Sequence, residues 1–137
     1  MKVFIDTSAF IAYFIKQQEH HEEVLRKYNS YRDQKAIIIT SDYVLDELFT
    51  WFNAKLPKSS LEKLFFTLKK IEERGQISIL SIEKVIFKKG QEILLKLSEH
   101  RISFTDATTY VLYKDFAIDE IFTLDSNFKK MRLKTSF

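Results

Sequence analysis

Short apolar runs alternate along this chain with longer amphipathic stretches, and that rhythm predicts a succession of strands and helices. Residues 3–5 (Val-Phe-Ile) form a short apolar strand, followed by a helix over 9–15 with Asp6 or Thr7 at its start. A polar segment, 16–23, opens a second helix that reaches roughly Tyr31. Residues 36–39 are apolar and β-branched, so they read as a buried strand. Thr40 or Ser41 then caps a helix that runs to Leu56, where Pro57 stops it. Ser59 and Glu62 have the spacing of a capping box for the next helix, and Gly75 is placed to end it. Residues 77–80 form a third strand, and 82–99 a long helix containing Gly90, a poor helix former. Ser103 and Asp106 repeat the capping-box spacing before a helix to about Lys114. Residues 120–124 are a fourth strand, 126–130 a short helix, and 132–137 an edge strand. The alternation predicts an α/β fold, a parallel sheet covered on both faces. The chain shows no internal repeat, low-complexity tract or linker.

Composition narrows the class. At 137 residues the length suits one domain, 1–137. Hydrophobic residues at 45% and charged residues at 30% are those of a soluble globular protein. The absence of Cys excludes disulfides and thiolate metal sites and suits the reducing cytoplasm. Asp6 interrupts the first apolar run too early for a secretory signal, and no stretch is long enough for a membrane span. The expectation is a cytoplasmic protein with no membrane attachment. Net charge is +3. Its densest basic segment is the tail Lys129, Lys130, Arg132 and Lys134, which serves equally as a solvated end or as a phosphate contact.

Four acids stand where a parallel sheet would gather them: Asp6 in FIDTSAF, Glu47 in VLDELFT, Asp106 in SFTDATTY and Asp125 in FTLDSNF. In open α/β sheets, chemistry collects outside the carboxyl ends of the strands. Two carboxylates 4 Å apart repel by about 4 kcal/mol at an effective dielectric near 20. Such a cluster needs protons or a cation, and an all-oxygen site favours Mg²⁺ or Mn²⁺. Each acid also has a plainer explanation. Asp6, Asp106 and Asp125 stand at helix starts, where a carboxylate can cap backbone N–H groups. Glu47 escapes that account. Val44, Leu48 and Trp51 share its helical face, which sets a charge beside an apolar stripe, whereas Asp46 belongs to a polar face with Asp42, Thr50 and Asn53.

Taken in order, these segments resemble the four acidic motifs of the PIN domain family, above all its compact single-domain VapC-type toxin ribonucleases. FIDTSAF resembles the opening strand motif, SDYVLDELF the helical motif with its Glu, SFTDATTYVL the third and IFTLDSNF the fourth. The match spans Lys2 to about Lys130. The resemblance implies a PIN-like fold with a central parallel five-stranded sheet flanked by helices. It implies Mg²⁺- or Mn²⁺-dependent endoribonuclease activity, and usually a homodimer silenced by a small antitoxin.

Carried over by residue, Asp6, Glu47, Asp106 and Asp125 become catalytic metal-binding acids. Thr7, Ser8 and Thr105 become hydroxyls that orient them, a role compatible with helix capping. Lys129, Lys130, Arg132 and Lys134 become candidate RNA contacts. His21 matches a His that opens the second helix, in a solvated or capping role. Two positions depart from the pattern: Ser126 replaces a further acid, and Ala117 a Gly before the fourth strand. With no Cys, and with the three His away from the acidic motifs, nucleophilic Cys or His chemistry has no basis. Hydrolysis would leave a 5′-phosphate and a 3′-hydroxyl. The aromatic run Leu48–Phe52 wraps more than one helix face and suggests a surface covered by another chain. The alternative is a PIN-fold module that binds RNA or protein without cutting.

Overall fold

The computed structural model describes residues 1–137. Strand β1 (Lys2–Ile5) leads through α1 (Thr7–Phe14) and α2 (His21–Asp33) to β2 (Ile37–Ser41). Helices α3 (Asp42–Lys55) and α4 (Lys58–Glu73) connect β2 to β3 (Ser78–Leu80). Helices α5 (Lys84–Lys96) and α6 (Phe104–Asp115) lead to β4 (Glu120–Phe122), and α7 (Asn127–Lys130) follows. The four strands are all parallel, in the order β3-β2-β1-β4. No helix is long and apolar enough to cross a membrane.

The sheet is one strand narrower than the expected five. The predicted edge strand at 132–137 survives as a single parallel bridge, Ile121 to Thr135, with backbone bonds of 2.9 Å on either side. It begins with the alternation of a strand, Leu133 buried between the exposed Arg132 and Lys134. Arg132 lies at φ 60, a left-handed turn that prevents the segment from running straight alongside β4.

Buried strands need residues that are apolar on both faces, and Val3, Phe4, Ile38, Ile39, Ile121 and Phe122 supply them. Their order creates one crevice. β2 and β3 lie on one side of β1 and β4 on the other, so the chain direction across the sheet reverses between β1 and β4. That reversal is where open α/β sheets bind ligands.

Several local expectations change in the fold. Ser41, not Thr40, caps α3, accepting the Val44 N–H at 3.2 Å. Ser59 and Glu62 form no capping box: α4 begins after Pro57, whose fixed φ suits a helix entry, and Glu62 pairs with Lys58 instead. Gly75, at φ 68, ends α4, and the next amide, Gln76 N–H, reaches back to the Ile71 carbonyl at 2.8 Å. The helix expected over 82–99 is shorter and passes into a 3-10 turn, Ser98–His100. The apolar run in α3 is mostly covered by its own chain: Leu48 and Phe52 are buried, and Phe49 meets Phe65 of α4 edge to face.

Gly90 has a packing role. It is buried where α5 crosses α6, and a Cβ there would meet Thr108 Cγ2 at 3.0 Å and Phe104 Cε1 at 3.2 Å. The missing side chain lets the two helices approach, which offsets its poor helix propensity. Glu120, buried on β4, is held by Lys27 and Lys134, each at 3.4 Å, and by the Tyr31 hydroxyl. This network ties α2 and the C-terminal segment to the strand that ends at the crevice. A Gly90→Leu substitution should force α5 from α6 and destabilise the fold by about 1–3 kcal/mol. The urea midpoint measures this; an unchanged midpoint would mean that the helix contact is loose.

Candidate functional site

The crevice is built by the strand ends. Ile5 pairs with Phe122, and the Asp6 N–H donates to the Phe122 carbonyl at 3.0 Å, extending the β1–β4 ladder by one step. Asp6 therefore emerges beside Thr123. It has the extended backbone of an N-cap for α1, but its side chain makes no capping bond. Its Oδ2 instead accepts the Thr123 hydroxyl at 2.9 Å and the Ser8 hydroxyl at 3.4 Å. Plain helix capping does not account for Asp6.

Three further acids face the same cleft of about 520 Å³: Glu47 from α3, Asp106 from α6 and Asp125 from the turn after β4. The Thr7 hydroxyl donates to Glu47 Oε1 at 2.9 Å, which links the first turn of α1 to the middle of α3. Asp106 completes the capping box expected with Ser103, accepting the Ser103 N–H at 3.3 Å. The Asn127 amide also donates to Asp106 Oδ2 at 3.3 Å. Asp125 accepts the Asn127 backbone N–H at 2.9 Å, a short turn that starts α7. Asp46 is exposed on the other side of α3, as its polar stripe requires.

The remaining sequence candidates divide. Thr7 and Ser8 line the cleft and hold its acids. Thr105 is outside the cleft lining and contributes its carbonyl to the Thr108 hydroxyl at 2.8 Å. Lys129 borders an adjoining pocket that shares Asp125 with the cleft. Lys130 and Arg132 are exposed, whereas Lys134 extends to Glu120. His21 is neither solvated nor the cap; it is buried, and its Nδ1 lies 2.7 Å from the Ala12 carbonyl, joining α2 to α1. Reading from sequence missed Thr123, Asn127, Arg101 and Trp51. Thr123 was legible as a polar residue in an apolar strand exit; Asn127 had no signal beyond its nearness to Asp125.

Confinement of like charges governs the electrostatics. Burial, then the charge of Asp106, pushes the Asp6 carboxyl up to about 7, against the opposing Thr123 hydrogen bond. Burial also raises Glu47, with Asp106, Asp46 and Asp125 adding to it against the Thr7 bond. Asp106 is raised by burial too, and Asp125 adds to it, while Ser103 and Asn127 oppose the shift. No group of three or more acidic or His side chains closes into a ready-made metal cage. The donor set nevertheless suits a hard cation. It is all oxygen, short of charge compensation and open to water, and Mg²⁺ keeps several waters while taking only one or two carboxylates. A second, apolar cavity of about 80 Å³, between Phe10, Tyr13, Tyr28 and Ile71, shares no residue with the cleft and offers no such chemistry.

The raised Asp6 carboxyl has a consequence for stability. An acid whose native pKa exceeds its unfolded value makes the fold progressively less stable as pH rises between the two. In chelator, thermal stability should therefore fall from about pH 4 to about pH 7 and level off above. Asp6→Asn should flatten that slope. An identical slope in the variant, read by thermal melts across pH, would place the titration elsewhere.

The chain was compared with known proteins. The family model for the PIN domain matches residues 3–134. A search of curated proteins gives no match. Among solved structures, the fold is similar to Mycobacterium tuberculosis VapC20, a sarcin-ricin loop cleaving toxin, with a TM-score of 0.83 and 20% identity. That match covers 96% of this chain and 95% of the other. It is also similar to VapBC2 from Rickettsia felis bound to a DNA fragment from their promoter, with a TM-score of 0.73 and 15% identity, covering 99% and 98%. FitAcB from Neisseria gonorrhoeae follows at 0.66 and 16%, covering 97% and 95%. At these identities the structural likenesses speak for the fold, and the family match extends over nearly the whole sequence: the chain belongs to the PIN domain family.

Proposed function

We propose that residues 1–137 form one catalytic unit, a Mg²⁺- or Mn²⁺-dependent endoribonuclease that acts as the toxin of a type II toxin–antitoxin pair. The observation that carries this reading is the convergence of Asp6, Glu47, Asp106 and Asp125 on one cleft at the carboxyl end of the sheet. Family membership and the toxin activity of the Mycobacterium tuberculosis relative support it. Asp6 and Asp106 would hold the principal ion, with Glu47 and Asp125 completing its surroundings. A divalent cation there would neutralise the phosphoryl oxygens, acidify water and steady the leaving oxygen.

The chain's own part is positioning. Thr123 and Ser8 fix Asp6 and Thr7 fixes Glu47, while Asn127 and Ser103 fix Asp106. These donors also ease the repulsion that would otherwise splay the acids apart. In-line attack by water leaves a 5′-phosphate and a 3′-hydroxyl. Lys129, Lys130 and Arg132, exposed beyond Asp125, supply phosphate contacts outside the cleft.

An antitoxin partner is supported by the VapBC2 and FitAcB likenesses. Leu48 and Phe52 are committed to the core, so the apolar surface left for it on this side is α4, where Phe66 is 60% and Phe65 46% exposed. A homodimer in the cytoplasm is part of the same reading.

Purified protein should cleave RNA in Mg²⁺ or Mn²⁺ and cease in excess EDTA. Undiminished cleavage in chelator sinks the mechanism, and RNA binding without cleavage in any ion favours a non-catalytic PIN module. Asp6→Asn and Asp106→Asn should each lower cleavage by more than about 100-fold, the upper end for losing an orienting partner alone. Circular dichroism should remain native; loss of folding would assign these acids to structure.

Glu47→Gln and Asp46→Asn make a paired test on adjacent residues of one helix. The first should lose more than about 100-fold in kcat, and the second less than about twofold, since only Glu47 faces the cleft. Equal effects would mean that the helix face is not what matters.

A further inference from the structure

An acidic cleft repels the phosphodiester it is meant to bind, and one cationic side chain, Arg101, is among its lining residues. Arg101 stands between two fixed motifs. On one side its N–H donates to the Ser98 carbonyl at 3.1 Å, closing the 3-10 turn. On the other, Ile102 is buried and Ser103 caps the helix that carries Asp106. Arg101 is exposed and takes part in none of the ion pairs of the structure.

Its backbone lies at φ 54, a region that favours Gly. Lys35, Ala117 and Arg132 share that feature, so the conformation alone does not single Arg101 out. Its place in the cleft does. Trp51, one helical turn beyond Glu47, is the aromatic ring lining the same cleft and the only Trp of the chain. The indole leans edge to face on Phe52 with centroids 5.7 Å apart, and the fold leaves it half-buried.

We propose that Arg101 and Trp51 form a nucleotide subsite for unpaired RNA, the guanidinium holding a phosphate beside the scissile bond and the indole stacking a base. This rests on the nuclease reading and names its substrate class. The planar fork of Arg matches phosphate oxygens and keeps its charge at any working pH. A base can lie on an indole only when it is out of a duplex, so the subsite selects single strands or loops over paired RNA. Arg101 also supplies positive charge on the cleft side of Asp125, while Lys129 supplies it in the adjoining pocket.

Because Trp51 is the sole Trp, intrinsic fluorescence reads the subsite directly. Asp6→Asn protein in Mg²⁺, which should bind without cutting, should show saturable quenching with a short single-stranded RNA and none with the same sequence in a blunt duplex. In the otherwise wild-type protein, Arg101→Gly relieves the left-handed backbone, so its thermal midpoint should equal or exceed that of the parent. Its kcat/KM should nevertheless fall about 10–100-fold, as expected for one charged hydrogen-bonded contact. Arg101→Lys should recover part of that loss. Lys35→Gly, also left-handed but outside the cleft, should gain stability with cleavage unchanged. A stable Arg101→Gly protein that cuts like wild type, or a duplex that quenches as well as the single strand, overturns the subsite and leaves the nuclease reading intact. If wild type cuts nothing in either ion, the nuclease reading fails, and quenching with and without Arg101 decides the subsite alone.

Discussion

The backbone bond from the Asp6 amide to the Phe122 carbonyl, 3.0 Å long, carries the β1–β4 ladder one residue past the end of β1. That step sets a nearly buried carboxylate against the Thr123 hydroxyl in a cleft that is otherwise open to water. Asp6 is only 4% exposed, and Asp106 and Glu47 approach it from α6 and α3. Everything else in the cleft answers to that arrangement. The hydroxyls of Thr7, Ser8 and Thr123 and the amide of Asn127 each give a donor to one of its acids. Donors of this kind cost little and orient much, but they carry no full charge. The repulsion persists as a raised Asp6 carboxyl.

A cleft rich in carboxylates and short of compensating cations is a form of stored energy. Replacing its acids by apolar residues would favour folding, and the stability thus forgone is available to whatever cation or proton binds there. The rest of the domain compensates through ordinary packing. Parallel strands of Val, Ile and Phe fill the centre, α5 lies against α6 over Gly90, and the Tyr31–Glu120–Lys27 network locks β4 from behind. A rigid sheet is what allows the strand ends to hold like charges together.

Much of the fold was legible because its signals are local. Hydrophobic period placed the strands at β1, β2, β3 and β4, Ser103 and Asp106 announced the cap of α6, Pro57 marked the end of α3 and Gly75 the end of α4. The failures were also local patterns, overruled by context. Ser59 and Glu62 had capping-box spacing, but the helix started earlier at the residue after Pro57. His21 looked polar and therefore solvated, yet a carbonyl of α1 offered it a buried partner. Gly90 looked like a defect of α5 because the helix it accommodates lies a dozen and more residues away.

The amino-acid sequence by itself determined the order of elements, the parallel class of the sheet, and the contrast between Glu47 and Asp46, since each depends on periodicity or chain direction. Only the tertiary structure decided which side chains share a cleft. Thr123 and Asn127 support acids more than a hundred and about twenty positions away, and Arg101 and Trp51 meet around a cleft whose walls come from different helices. No spacing rule along one helix or strand reaches so far. It also decided that Lys134 pairs with Glu120, and that the fifth strand narrows to a single bridge once Arg132 turns left-handed. Periodicity is a property of neighbours in the chain, whereas partnership is settled when packing brings distant donors and acceptors within 3 Å or so.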